Sequence, residues 1–204
     1  MITILLAIVA FAGAAALGLA AARGVCGSVA ESLPGGPPPG IVPQRMLVIG
    51  AAVLGAIAAY RGLPLPGLAI VWLACGLLTA IWASDVLRGI IPDMFTIVPL
   101  GAILLAAALA GHWEVPVAAV VPALPFAFLA WRSGGLGLGW GDVKLAMLGG
   151  PLIGMQYALM AFALGCLVAV AVARIRKVSH QPVAFAPYLA SSIALPLALV
   201  IPGF

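Results

Sequence analysis

The stretch Leu145–Ala173 reads LAMLGGPLIGMQYALMAFALGCLVAVAVA and contains no charged residue over its 29 positions. A helix needs about 20 apolar residues to cross the hydrocarbon core of a bilayer. The stretch is therefore too long for one span and short for two, unless the first span begins before it. Its basic flanks are Lys144 on one side and Arg174, Arg176 and Lys177 on the other.

These flanking charges indicate how the stretch is folded. Basic residues are concentrated in the cytoplasmic loops of membrane proteins, so both ends should lie on the cytoplasmic side and the chain should cross twice. The external turn is expected near the residues that disfavour a helix, which are Gly149, Gly150, Pro151 and Gly154. The first crossing must then start near Gly139, which places Asp142 inside the start of a helix.

Six further apolar runs extend this pattern along the chain: Ile2–Ala22, Met46–Tyr60, Pro66–Ser84, Met94–Gly111, Val115–Trp131 and Val183–Ile201. Of the 204 residues, 65% are hydrophobic and 7% are charged, whereas soluble domains have about 25% charged residues. The composition excludes a soluble globular protein. We predict an all-α polytopic membrane protein with about eight transmembrane helices, a single membrane domain over residues 1–204, and both termini outside.

The distribution of basic residues supports this topology. The cytoplasmic side would receive Arg23, Arg45, Arg88, Arg132, Lys144, Arg174, Arg176 and Lys177, and Arg61 would fall outside. The Gly/Pro-rich segment Gly24–Arg45 would then be a short, extended cytoplasmic loop. No basic residue precedes the first apolar run, so a retained first helix fits better than a cleaved signal peptide, although cleavage after its alanine cluster stays open.

Composition also argues against several other kinds of site. The pI near 9.4 is compatible with nucleic-acid binding, but the nine basic residues are scattered between apolar runs, so we expect no nucleic-acid partner. The cysteines, Cys26, Cys75 and Cys166, are too few and too scattered for a disulfide framework or a zinc site. The histidines, His112 and His180, have no ligands at metal spacing. We therefore predict no metal and no cofactor.

The acidic residues are the chemical candidates, and there are five: Glu31, Asp85, Asp93, Glu114 and Asp142. An ionisable side chain at membrane depth is expensive and is a functional candidate by default. Asp85 ends the third expected span and Asp142 begins the sixth, so both should lie at the cytoplasmic face. Two carboxyl groups that approach closely share one proton, which lets one act as a general base and the other as a general acid.

The aspartates also have structural interpretations. Asp85 can pair with Arg88 three residues later on a helix, and Asp142 can cap a helix N-terminus. Asp93 follows Pro92 and precedes an apolar run, so helix capping is its expected role. From the residues taken singly, the structural and functional interpretations are about equally favoured for Asp85 and Asp142.

The glycines before Asp142 favour a function. The segment 133–144 contains five of them: Gly134, Gly135, Gly137, Gly139 and Gly141. Glycine permits unusual backbone angles and close approach of a substrate, so a flexible loop that leads into a membrane-embedded acid suits a protease that admits an extended peptide. Lys144 can extend to the membrane interface or help to keep a neighbouring aspartate ionised.

Three segments combine in order into a recognisable pattern. Gly137-Leu-Gly-Trp-Gly-Asp142-Val-Lys144-Leu145 resembles the GxGD signature of bacterial prepilin peptidases, which is usually followed by x-Lys-Leu. Asp85-Val-Leu-Arg-Gly-Ile-Ile-Pro92-Asp93 resembles their other signature, a catalytic aspartate followed after six residues by Pro-Asp. Phe185-Ala-Pro187-Tyr188-Leu189 is similar to their Pro-Phe-Gly-Pro-x-Leu segment, with Ala184 and Ala186 replacing the first Pro and the Gly.

The resemblance implies an intramembrane aspartyl protease with catalytic segments 85–93 and 133–144. Asp85 and Asp142 would be the catalytic pair, supported by Gly139, Gly141, Lys144, Arg88, Pro92 and Asp93. The reaction would be removal of a short, positively charged leader from type IV prepilins or related pseudopilins, which serve a type IV pilus or type II secretion. It would take place at the cytoplasmic face of the bacterial inner membrane, and both chain termini would be periplasmic.

One departure from the family bears on its second activity. Many members carry two Cys-x-x-Cys pairs in a cytoplasmic domain after the first span, and they also N-methylate the new pilin terminus. The segment Gly24–Arg45 holds one cysteine and is too short for that domain. The resemblance is therefore to the reduced, peptidase-only members, and a need for S-adenosylmethionine is in doubt.

Two other classes of membrane protein stay open from the sequence. A proton-coupled transporter would also place acids in a helical bundle, but near the bilayer midplane and with repeats between its halves. A structural membrane subunit would use the aspartates to hold helices together.

Overall fold

The computed structural model describes residues 2–32, 44–134, 138–175 and 185–199, and all regular structure in them is helical. The helices are α1 (Ile2–Ser32), α2 (Gln44–Tyr60), α3 (Leu65–Arg88), α4 (Asp93–Ala110), α5 (Glu114–Val120), α6 (Leu124–Arg132), α7 (Trp140–Ile153), α8 (Met155–Ile175) and α9 (Ala186–Leu199). A 3₁₀ turn, Val121–Ala123, joins α5 to α6. The predicted all-α class is confirmed.

Five helical segments of the described chain are long and apolar enough to cross a membrane: Thr3–Ser28, Leu65–Arg88, Asp93–Ala110, Glu114–Arg132 and Met155–Ile175. The helices α2 and α9 are apolar but shorter, and α7 has 14 residues. The chain is thus a multi-pass membrane protein. The eight crossings and the orientation of the termini stay predictions.

The long apolar stretch divides at Gly154, one of the four residues expected near the turn, whereas the other three, Gly149, Gly150 and Pro151, lie within α7. α7 begins at Trp140, next to the expected start at Gly139, and α8 begins at Met155. Gly154 separates the two helices with φ 80° and ψ 151°. Residues other than glycine rarely adopt that backbone conformation, so the glycine ends α7 where it does.

Two helix boundaries differ from the sequence-based expectation. α1 continues to Ser32, so the first part of the segment Gly24–Arg45 is helical rather than extended, because its prolines begin only at Pro34. The expected span Val115–Trp131 contains a 3₁₀ turn, because Pro122 has no N–H to donate within a regular helix. Expectations that concern residues 33–43, Gly135, Gly137, Arg176, Lys177, His180 and Ala184 lie outside the described residues.

The chain divides into two compact units, which we describe separately. The first unit covers residues through Ile90 and resumes at Ala194, and the second covers Ile91–Ile193. In the first unit, α1 packs against α2 and α3. A Cβ atom on Gly18 would overlap the carbonyl oxygen of Gly76, and the Trp72 indole donates a hydrogen bond of 2.8 Å to the carbonyl of Ala10. Small residues thus bring the backbones of α1 and α3 together, as in many membrane helix pairs.

The helix α7 lies at the centre of the second unit, where it contacts α4, α5, α6 and α8. Its side chains Leu145, Leu148 and Ile153 are fully buried. A Cβ atom on Gly150 would overlap the carbonyl oxygen of Ala118 in α5. This central packing holds the N-terminal turn of α7, which carries Asp142.

Candidate active site

Asp85 lies in the last turn of α3, in the first unit. The helix ends at Arg88 because Gly89 adopts a left-handed conformation, with φ 66°, and donates its N–H to the Asp85 carbonyl oxygen at 2.7 Å. The Asp85 residue is only 9% exposed. The segment Asp85–Gly89 is therefore a helix end whose acidic side chain is buried rather than turned to solvent.

Asp142 lies in the first turn of α7, in the second unit. The helix is capped by Gly139, whose N–H donates to Asp142 Oδ2 at 3.2 Å. The residue is 8% exposed. Asp142 thus takes part in the cap from the third position of the helix, whereas the N-cap residue is Gly139, and the positive end of the helix dipole favours a negative charge on this carboxyl group.

The two glycines next to Asp142 differ in what they provide. A Cβ atom on Gly141 would lie 3.0 Å from Ile91 Cβ, so a larger residue would push the start of α7 away from the segment before α4. A Cβ atom on Gly139 would meet its nearest neighbour, Asp142 Oδ2, at an ordinary 3.6 Å. Gly141 is therefore the glycine that close packing requires.

Asp93 does not have the capping role expected for it. Pro92 is the N-cap of α4, with φ −64° and ψ 137°, and no side chain caps the helix. Asp93 instead accepts a charge-assisted hydrogen bond of 2.5 Å from Lys144 Nζ. The reason is position: Asp93 is the first residue within α4, so its carboxylate can reach the basic side chain at the start of α7.

The second unit brings most of the predicted site residues together. The N-terminal ends of α4 and α7 are joined by the Asp93–Lys144 ion pair and by the contact of Ile91 with Gly141. Asp85 and Arg88 belong to the first unit. The approach of Asp85 to Asp142 stays a prediction.

Burial separates the catalytic candidates from the other acids. Among the residues whose side chains the structure describes, Asp85 and Asp142 are the buried charged ones. Asp93 is exposed, and exposed Glu114 pairs with His112 at 2.9 Å. Keeping a carboxyl group from water costs free energy. A contribution to solubility or surface charge therefore does not explain the aspartates at these two positions.

Comparison with known protein families gives a match over residues 72–174, just over half of the chain, to the type IV leader peptidase family. The chain belongs to that family. The resemblance inferred from the ordered motifs is thereby confirmed, and the matched region includes both Asp85 and Asp142. No curated protein and no solved structure matches the chain significantly.

Membership in the leader peptidase family makes this chain a membrane peptidase. Sequence reasoning did not single out Ser84, Ile91 or Thr96. Ser84 is fully buried beside Asp85 and donates to the carbonyl of Ile81 at 2.9 Å. Thr96 is fully buried one turn after Asp93, and its hydroxyl has no hydrogen-bond partner among the described residues. The available signal for Ser84 and Thr96 was a polar residue at the end of, or inside, an apolar run, and the sequence gives no such signal for Ile91.

The described residues of this leader peptidase family member contain no cluster of three side chains suited to a metal ion. Cys26, Cys75 and Cys166 are free. In the second unit, the described part of the site contains the carboxyl groups of Asp93 and Asp142, the Lys144 amine and backbone amides.

The Asp93–Lys144 ion pair should contribute little to stability. The Asp93 and Lys144 side chains are 60% and 34% exposed, and exposed ion pairs typically contribute about 0.2–1 kcal/mol. We expect a double-mutant cycle with Asp93→Asn and Lys144→Gln, measured by unfolding in detergent, to give a coupling energy in that range. A coupling energy above about 3 kcal/mol would instead be that of a desolvated pair.

Proposed function

We propose that this chain is an intramembrane aspartyl endopeptidase that removes the leader peptide from type IV prepilins or pseudopilins. Asp85 and Asp142 are the proposed catalytic pair. The observation that carries the proposal is that these two aspartates are both buried, each at a helix end. The family match covers both of them and supports a leader peptidase role.

The proposed chemistry needs two carboxyl groups that share one proton. The ionised group removes a proton from water as the water oxygen bonds to the scissile amide carbon. The protonated group hydrogen-bonds the carbonyl oxygen and then donates a proton to the leaving nitrogen as the peptide bond breaks. Water and the two carboxyl groups account for every proton, so the reaction requires no metal and no nucleophilic side chain.

The position of the pair along the helices favours a protease over a proton-coupled transporter. Asp85 lies in the last turn of α3, and Asp142 lies in the first turn of α7. Acids that carry protons through a transporter are expected near the bilayer midplane, which corresponds to the middle of a spanning helix. A structural subunit is the remaining alternative, and an activity assay separates it from an enzyme.

The direct test is cleavage of a prepilin with an intact leader by the purified full chain in detergent. Mass spectrometry should show one cut at the leader junction, unaffected by a chelator such as EDTA. Added S-adenosylmethionine should leave the new N-terminus unmethylated, because the segment Gly24–Arg45 holds one cysteine rather than two Cys-x-x-Cys pairs. Absence of cleavage, or its loss with the chelator, would contradict the proposed reaction.

We further propose that both aspartates face the cytoplasm at the bacterial inner membrane. In a cysteine-free background, single cysteines placed at the exposed residues Ile90 and Trp140, which are five and two residues from the two aspartates in sequence, should react with a membrane-impermeant maleimide from the cytoplasmic side. A matched cysteine at exposed Trp113, in the turn before α5, should react only from outside. Labelling of the first two positions from opposite sides would exclude a dyad.

A further inference from the structure

A cavity of about 480 Å³ lies in the first unit between α1 and α2. Its polar lining consists of Arg23 from α1 and Gln44 and Arg45 from α2, and its apolar lining includes Leu19, Val48 and Ile49. Cavities that bind small ligands typically measure about 300–1,000 Å³. The cavity therefore has the size of a ligand site and combines a cationic part with an apolar part.

The two arginines come from different helices and line the same cavity. Neither has an ion-pair partner among the described residues. This part of the first unit is therefore cationic, and positive charge next to a bilayer is stabilised by an anion.

We propose that this cavity binds one anionic phospholipid, with the phosphate between Arg23 and Arg45 and an acyl chain along Leu19, Val48 and Ile49. The planar guanidinium group matches the geometry of phosphate oxygens, and basic pockets between transmembrane helices bind anionic headgroups. The apolar wall selects a lipid over a free anion, because only the lipid covers both parts of the lining. Lipid binding is measured without a peptide substrate, so it stands apart from peptidase activity.

The test is native mass spectrometry of the full chain in detergent, titrated with phosphatidylglycerol or with phosphatidylcholine of the same acyl chains. The double variant Arg23→Gln/Arg45→Gln should bind phosphatidylglycerol about 30-fold more weakly, the combined effect of two basic side chains at an anionic headgroup. The matched control Arg61→Gln/Arg132→Gln removes the same charge from residues that do not line the cavity and should bind as the unaltered chain does. Ala20→Trp should also weaken binding while keeping both arginines, because Ala20 lines the cavity.

Three results would overturn this site. One is equal affinity of the double variant and its control for phosphatidylglycerol. Another is equal affinity of the unaltered chain for the anionic and zwitterionic lipids. A third is tight binding of glycerol 1-phosphate alone, which would show an anion site that needs no acyl chain.

Discussion

Replacement of either Asp85 or Asp142 by asparagine should abolish leader cleavage. We expect the rate to fall by at least about 10²–10⁴-fold, which is the usual contribution of a general acid or base. Both protons of the proposed reaction pass through the pair, so loss of one carboxyl group disables the other as well. Asparagine has nearly the same shape as aspartate, so the residue should still fit its buried position. Initial cleavage rates of the two purified variants on the same prepilin measure the effect.

The matched control is Asp93→Asn, which removes a nearby but exposed carboxylate from a helix start. Its cleavage rate should fall by less than about tenfold, because a positioning ion pair of this exposure contributes about 1 kcal/mol or less. Helical content and elution volume of all three variants should equal those of the unaltered chain. Normal cleavage by Asp85→Asn or by Asp142→Asn would remove the dyad from the mechanism.

Gly150→Ala should lower the free energy of unfolding by about 3 kcal/mol or more, at or beyond the upper end of the usual cost of overpacking. The added Cβ would occupy the position of the Ala118 carbonyl oxygen. A backbone atom cannot rotate away as a side chain can, so α7 and α5 would have to separate. Denaturant titration in detergent micelles measures the change, and cleavage should weaken too, since α7 carries Asp142.

Gly101→Ala is the control for that substitution. Gly101 lies inside α4 of the same unit, and a Cβ atom there would have nothing within 4 Å. Because alanine favours a helix over glycine by about 1 kcal/mol, stability should stay the same or rise slightly. If both alanine variants were equally stable, the close approach of α5 and α7 would be wrong.

Some features of the fold could be predicted from the sequence, and others could not. The break in the apolar stretch after Ile153 and the start of α7 next to Gly139 were predictable, because glycine, proline and flanking charges act locally along the chain. The end of α1 was misplaced, since nothing in residues 24–32 prevents a helix that the preceding run has already started. The helix-capping role expected for Asp93 was also wrong, because its partner is Lys144, which is 51 residues away in sequence.

The amino-acid sequence alone determined that the chain is helical and multi-pass, where most of its helices begin and end to within a few residues, and which ordered motifs carry its family resemblance. Those properties follow from apolar run length and from short-range backbone preferences. Tertiary structure decided that Asp85 and Asp142 are buried while Asp93 pairs with Lys144. It also decided which glycines contact a neighbouring segment, among them Gly18, Gly141 and Gly150. In a chain whose helices are apolar on every side, periodicity does not distinguish the packed face from the lipid face, so only contacts between helices can settle it.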